Sequence, residues 1–211
     1  MRRLPVYFLL DTSGSMFGEP IQALNNALSG MIHSLRTDAQ AQETLWISIV
    51  TFEREVKEIV PLIDLQSFQL PEITCPQSGP TFTGRGLQLI YQKATTEIRK
   101  GTPDQKGDWR PLLFVFTDGK PSDIQLYREM IPKVKQLNFG TIIGCAAGKL
   151  ADDSVLKELC DTVVHIDTAD STTLRQFFKW VSDTIEQGNK SMGTTDNVTI
   201  PPPPSEEFIV I

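Results

Sequence analysis

Histidine and cysteine are scarce here, and what is missing narrows the chemistry first. Only His33 and His165 occur in 211 residues. One falls in an expected helix and the other in an expected strand, so a histidine-centred catalytic or zinc site is not expected. The three cysteines (Cys75, Cys145 and Cys160) are odd in number and show no CxxC spacing, which points to reduced, structural thiols. No apolar run approaches the length of a membrane span. The run from Val6 to Leu10 behind Arg2-Arg3 is too short for a secretory leader and is broken by Asp11, so the chain is expected to stay in the cytoplasm. Positive charge is in deficit: a net charge of -6 and a pI near 5.0 argue against nucleic acid or an acidic membrane as partner. There is no GxxxxGK phosphate loop, and Gly14-Ser15-Met16-Phe17-Gly18 is not the GxSxG nucleophile elbow. The remaining composition, 40% hydrophobic and 22% charged, suits a soluble domain with one well-filled core.

Strand and helix patterns alternate along the chain. Apolar runs at Val6 to Leu10, Leu45 to Phe52, Leu112 to Phe116, Gly140 to Ala147 and Thr162 to Ile166 read as strands. Glu53-Arg54 allows a tight return into Glu55 to Val60, giving one antiparallel hairpin. Asp64 is expected to cap a short turn over Leu65 to Phe68. Helical spacing covers 19–36, then a stretch from a Thr83 cap to Gly101. It resumes from a cap at Ser122 or Asp123 toward Leu137, where Pro132 predicts a kink or a split. Asp152-Asp153 open a short helix, and Asp170 caps a final one closed by Gly188. Such alternation predicts an α/β fold: a doubly wound, Rossmann-like, mostly parallel sheet with one antiparallel edge strand and helices on both faces. The domain is expected over 1–187, followed by a Pro-rich tail over 188–211. The simpler reading of that tail is a loose segment; the sharper one docks Phe208 to Ile211 as an edge strand. Asn197-Val198-Thr199 matches a glycosylation sequon that a cytoplasmic chain would not use. Trp46 is expected in the core, while Trp109 could serve as an interface anchor.

Chemistry concentrates where strands end. Asp11-Thr12-Ser13-Gly14-Ser15 sits on the loop between the first strand and the first helix, at the carboxyl edge where open α/β sheets bind ligands. Gly79 to Gly84 precedes another helix, and Asp118 follows the apolar strand at 112–116. Carboxyl ends of parallel strands converge, so Asp11, Ser13, Ser15, Thr81 and Asp118 can meet around one ion. Two carboxylates and three hydroxyls are hard oxygen donors, suited to Mg²⁺ or a similar dication that still needs water or an outside ligand. Asp123, Asp152 and Asp153 read as helix caps that need no chemistry.

With these residues in view the sequence resembles the von Willebrand factor A domain with its metal-ion-dependent adhesion site. Asp11-Thr12-Ser13-Gly14-Ser15 matches that family's Asp-x-Ser-x-Ser, Thr81 takes the place of its metal-binding Thr, and Phe116-Thr117-Asp118-Gly119 matches its Thr-Asp-Gly segment. The match runs from residue 5 to about 187. Pro80 departs from it, standing where a second Gly is usual. A closer resemblance is to small bacterial A-domain proteins of tellurium-resistance clusters. It is carried by Arg2 to Tyr7, Gly18-Glu19-Pro20-Ile21, Val60-Pro61-Leu62 with Asp64-Leu65, and Lys106-Gly107-Asp108-Trp109. It implies a cytoplasmic stress-response protein working beside a kinase and a phosphatase encoded nearby.

The resemblance implies that Mg²⁺ or Mn²⁺, held largely by hydroxyls, takes a carboxylate from an Asp or Glu of a protein partner; neither nucleic acid nor membrane is expected to bind, and no enzyme activity. Two other classes compete with this reading. A phosphatase-like hydrolase would use Asp11 as nucleophile, but the acid expected two residues on is Ser13. A metal-independent scaffold would let Ser13 and Ser15 merely satisfy backbone donors, leaving Thr81 and Asp118 as coincidence.

Overall fold

The computed structural model describes residues 2–148, 151–166, 170–191, 201–202 and 209–210. Its elements in chain order are β1 (Leu4–Asp11), α1 (Glu19–Leu35), α2 (Ala39–Thr44), β2 (Leu45–Phe52), β3 (Val56–Asp64), α3 (Thr83–Glu97), β4 (Leu112–Thr117), α4 (Ile124–Lys135), β5 (Thr141–Ala147), α5 (Asp153–Leu159), β6 (Thr162–Ile166), α6 (Ser171–Ser191) and β7 (Ile209–Val210). The sheet order is β3-β2-β1-β4-β5-β6-β7. β2, β1, β4, β5 and β6 run parallel, and β3 is the expected antiparallel edge. The mostly parallel α/β sheet with helices around it therefore stands as expected.

Strand alternation divides the core into two layers. Leu4, Val6, Phe8 and Leu10 face α1 and α6, whereas Tyr7 and Leu9 face α3 and α4. All eight residues of β1 are buried, as a strand covered on both faces must be. Because β1 has neighbours on both sides, β2 and β4, its carboxyl end opens at the middle of the sheet. The first motif leaves from there.

Several local expectations fail for physical reasons. α2 has no apolar stripe and so no periodic signal; it forms because Asp38 caps it, accepting the Ala41 N–H at 2.7 Å. α3 stops at Glu97, short of Gly101. α4 is neither split nor ended by Pro132, which lies in its last turn and forfeits a single backbone bond there. Gly188 does not close α6, which runs on to Ser191. The tail is also not simply loose: β7 adds a two-residue antiparallel pair to β6, and Trp180 donates to the Pro201 carbonyl at 2.9 Å. Phe208, Ile211 and the sequon at 197–199 lie outside the described residues.

Two of the segments behind the closer resemblance, Arg2 to Tyr7 and Lys106 to Trp109, meet at the opposite end of the sheet. Arg3 forks onto Asp108 through Nε at 2.9 Å and Nη2 at 2.5 Å, and Nη2 also reaches the Glu97 carbonyl at 2.8 Å. The Asp108 carboxylate further accepts the Arg99 N–H at 2.8 Å. The Arg2 guanidinium lies 3.6 Å over Trp109, and that of Arg3 lies 4.7 Å over Trp46. Trp109 is therefore covered from within the molecule, and Lys106 to Trp109 is a fastener for the start of β1. Cys145 and Cys160 are buried free thiols and Cys75 is half-buried, as structural reduced cysteines.

Candidate metal centre

Asp11 ends β1, and the chain then turns sharply through a single 3₁₀ turn, Gly14–Met16, before α1. The turn is tied to β2, whose last carbonyl, that of Phe52, accepts from the Thr12 N–H at 2.9 Å. Gly14 is required by close approach: a Cβ there would stand 2.5 Å from the Ser78 Cα, so the 69–83 loop can lie directly on the motif. Asp11 is fully buried and accepts the Ser13 N–H at 2.8 Å and the Thr117 hydroxyl at 2.6 Å.

The hydroxyls meet as the spacing implies. Ser13 Oγ lies 3.1 Å from Ser15 Oγ, and Ser15 Oγ donates to Asp118 Oδ1 at 2.8 Å across 103 residues of sequence. Thr81 is buried and joins from the third loop: its Oγ1 lies 3.5 Å from where a Cβ on Gly119 would stand, beside Asp118. The structure thus brings Asp11, Ser13, Ser15 and Asp118 into one hydrogen-bonded chain, with Thr81 against the Asp118-Gly119 turn.

Electrostatically the site is short of positive charge. Burial pushes the Asp11 carboxyl up to about 6, against the lowering effect of its bonds from Thr117 and Ser13, and the nearby Asp118 charge adds to the rise. Burial likewise raises Asp118, against the Ser15 hydrogen bond. Among the described residues neither carboxylate has a Lys, Arg or His partner. A buried carboxylate and a half-buried one with no basic side chain beside them, facing a pair of hydroxyls, form a donor set that fits a hard dication. No cluster of three or more His, Cys, Asp or Glu exists among the described residues, so such an ion would have to rely on Ser and Thr oxygens.

Three residues at the site escaped sequence reasoning. In the sequence Thr117 is only a member of the Thr-Asp-Gly segment, yet it holds Asp11; its place between an apolar strand and an acid is the available signal. Ser122 or Asp123 is expected to cap α4; Asp123 does hold the N-cap position, but its side chain makes no cap bond to that helix. The Asp123 carboxylate instead reaches across to α3, accepting the Gly84 and Arg85 N–H groups at 2.9 Å each. Thr83, the expected cap there, has a buried hydroxyl without a partner. Ser122 exchanges two bonds with Thr81: its Oγ accepts the Thr81 N–H at 3.0 Å and its N–H donates to the Thr81 carbonyl at 2.8 Å. The Asp118 loop thereby clamps the Thr81 loop. Asp123→Ala should cost about 1–2 kcal/mol through the lost cap and weaken any ion bound at Thr81. Asp123→Asn, which keeps one acceptor, should lose less of both, as read by urea unfolding and ion titration.

Comparison with known proteins agrees with this architecture. The family described as von Willebrand factor type A domain matches residues 6–184. No curated protein matches the chain in sequence. Among solved structures, the chain is similar to proximal thread matrix protein 1 of the mussel byssus with a zinc-occupied MIDAS motif. That likeness has 18% identity and a TM-score of 0.65, covering 86% of this chain and 48% of the other. It is also similar to manganese-loaded TRAP protein of Plasmodium vivax, with 21% identity, a TM-score of 0.55 and coverage of 84% and 73%. The PilB minor pilin of Streptococcus sanguinis gives 14% identity, a TM-score of 0.71 and coverage of 92% and 64%. The chain spans about half the length of the mussel protein. At these identities the likeness is one of fold.

Proposed function

The chain belongs to the von Willebrand factor type A domain family, and from that premise we propose that it is a divalent-cation-dependent protein-binding module rather than an enzyme. Ser13, Ser15 and Thr81 would hold Mg²⁺ or Mn²⁺ together with Asp11 and Asp118, and the ion would accept one carboxylate from an Asp or Glu of a protein partner. The observation that carries this reading is the Ser13–Ser15–Asp118 chain of contacts, at 3.1 and 2.8 Å, between loops that follow two adjacent parallel strands. The bound dication would supply a Lewis-acidic, positively charged centre at an exposed edge. The chain's own work is to hold hydroxyls rather than extra carboxylates toward it, so that its charge is only partly offset and an incoming anion is still attracted. Zinc and manganese at relatives of this fold lend support to a dication in general.

No helix among the described residues is long and apolar enough to cross a membrane. The resemblance of the Arg2 to Tyr7 and Lys106 to Trp109 segments supports a cytoplasmic role in a bacterial tellurium-resistance or stress-response system, with a kinase or a phosphatase as partner. The first test is thermal. Chelator-stripped protein titrated with Mg²⁺ or Mn²⁺ to a hundredfold excess over Kd should gain about 2.7 kcal/mol, or roughly 5–11 °C in Tm for a chain of this size. Ser13→Ala/Ser15→Ala should lose that gain while still folding. A flat titration in the unsubstituted protein would remove the metal from the account.

A further inference from the structure

We infer that the partner's acidic residue is accompanied, two positions away on the same face of an extended segment, by an apolar side chain that lands on Phe17. This rests on the proposed function and deepens it.

Phe17 is the one large hydrophobic side chain left exposed among the described residues, at 53%. It stands two residues beyond Ser15, itself exposed, while Met16 between them is buried. No helix-entry role accounts for it. Gly18 is the N-cap of α1, so Phe17 holds the position from which a hydrophobe commonly packs on the fourth helical residue. That residue is Gln22, which is exposed. Phe17 also takes part in none of the ring pairs of the core. Its backbone nevertheless is well held. The Phe17 N–H donates to the Gly14 carbonyl at 3.2 Å, and the next residue is a glycine at φ +94°, a conformation that lets the chain swing into α1. A rigidly presented aromatic with two side-chain torsions gives contact area at low entropic cost, which is the profile of a binding anchor.

The spacing fixes the occupant. Residues two apart in a chain are at most about 7 Å apart at their Cα atoms. Side chains two positions apart on an extended peptide share one face at about the same separation. A segment whose carboxylate meets the ion beside Ser15 therefore sets its second residue over Phe17. The other aromatic at the site, Phe82 after Thr81, is already covered by the Arg85 guanidinium at 4.6 Å, leaving Phe17 as the bare one.

Fluorescence anisotropy with labelled Gly-Ser peptides carrying one Asp tests this. Leu is placed two positions before or after the Asp, or replaced by Ser, with Mg²⁺ and with chelator. The full-length protein should bind a Leu peptide about tenfold more tightly than the Ser peptide, only with Mg²⁺. Phe17→Ala should erase that ratio, Phe17→Leu should keep most of it, and both should retain the Mg²⁺-induced rise in Tm. Equal binding of Leu and Ser peptides, or an unchanged ratio in Phe17→Ala, overturns the inference while leaving metal-bridged binding in place. An absence of any Mg²⁺ response, in peptide binding and in Tm alike, overturns the inference together with the function it rests on.

Discussion

Asp108→Ala should cost about 3–5 kcal/mol of folding stability, the range found when one partner of a buried ion pair is removed. Arg3 would be left with its guanidinium inside the protein and no carboxylate, since both of its bonds to Asp108 go, at 2.9 and 2.5 Å. The Arg99 N–H would lose its acceptor as well. The pair is sheltered, with side-chain exposures of 10% and 3%, so solvent cannot substitute cheaply. Replacing both partners together, as in Arg3→Met/Asp108→Leu, should lose much less, because no orphaned charge remains. Urea midpoints at constant slope measure this directly. The network fastens the beginning of β1, whereas the ion site lies beyond its end, so the Mg²⁺-induced change in Tm should survive in any variant that still folds. A variant that kept its stability would show that Lys106 to Trp109 does not fasten the strand.

The second large effect is at Asp11 and depends on pH. Its folded carboxyl is raised to about 6 from 3.8, chiefly by burial. A raised folded value means that the native state holds the proton more tightly than the unfolded chain. The contribution is fully present below the unfolded value and is lost as pH rises through about 6. In chelator, ionised Asp11 should therefore hold the protein about 3 kcal/mol below its acid-side stability at neutral pH. Roughly 1.4 kcal/mol should return by pH 5. Asp11→Asn should be more stable than the unsubstituted protein at neutral pH without metal, and the advantage should shrink toward pH 4. The amide fits because Thr117 Oγ1 can turn its hydrogen to the Gly119 carbonyl, already 3.3 Å away. Saturating Mg²⁺ should reverse the ranking, since only a carboxylate offsets the ion's charge. Unfolding measured across this pH range, with and without Mg²⁺, checks each sign. A carboxylate retained at a cost to the bare fold is what a binding site would demand.

Both effects bear on how far the residues could be read in advance. The sheet, its antiparallel edge and most helices were legible because burial writes a period of 2 or 3.6 into apolar positions. Polar α2, with nothing apolar to repeat, left no such trace. The oxygen donors were legible because Asp, Ser and Thr at strand ends carry a recognisable spacing. Their braces were not. Asp123 looks like a cap for the helix that follows it, and only the approach of the α3 N-terminus makes it a cap for another helix. Thr83 looks like a cap and is a buried hydroxyl without a partner. Trp109 looks like an anchor for another molecule until Arg2 is found lying over it.

Residue order alone was enough to say that strands and helices alternate, that the sheet is mostly parallel, and that five oxygen-bearing side chains stand at its carboxyl edge. These follow from chain-local periodicity and from the short list of ways a parallel sheet can be wound. Which oxygens touch, how deeply Asp11 is buried, what clamps Thr81 and which hydrophobe stays bare were set by three-dimensional packing. Each depends on two segments distant in sequence coming within hydrogen-bond range or covering one another's surface, and neither segment encodes that meeting on its own.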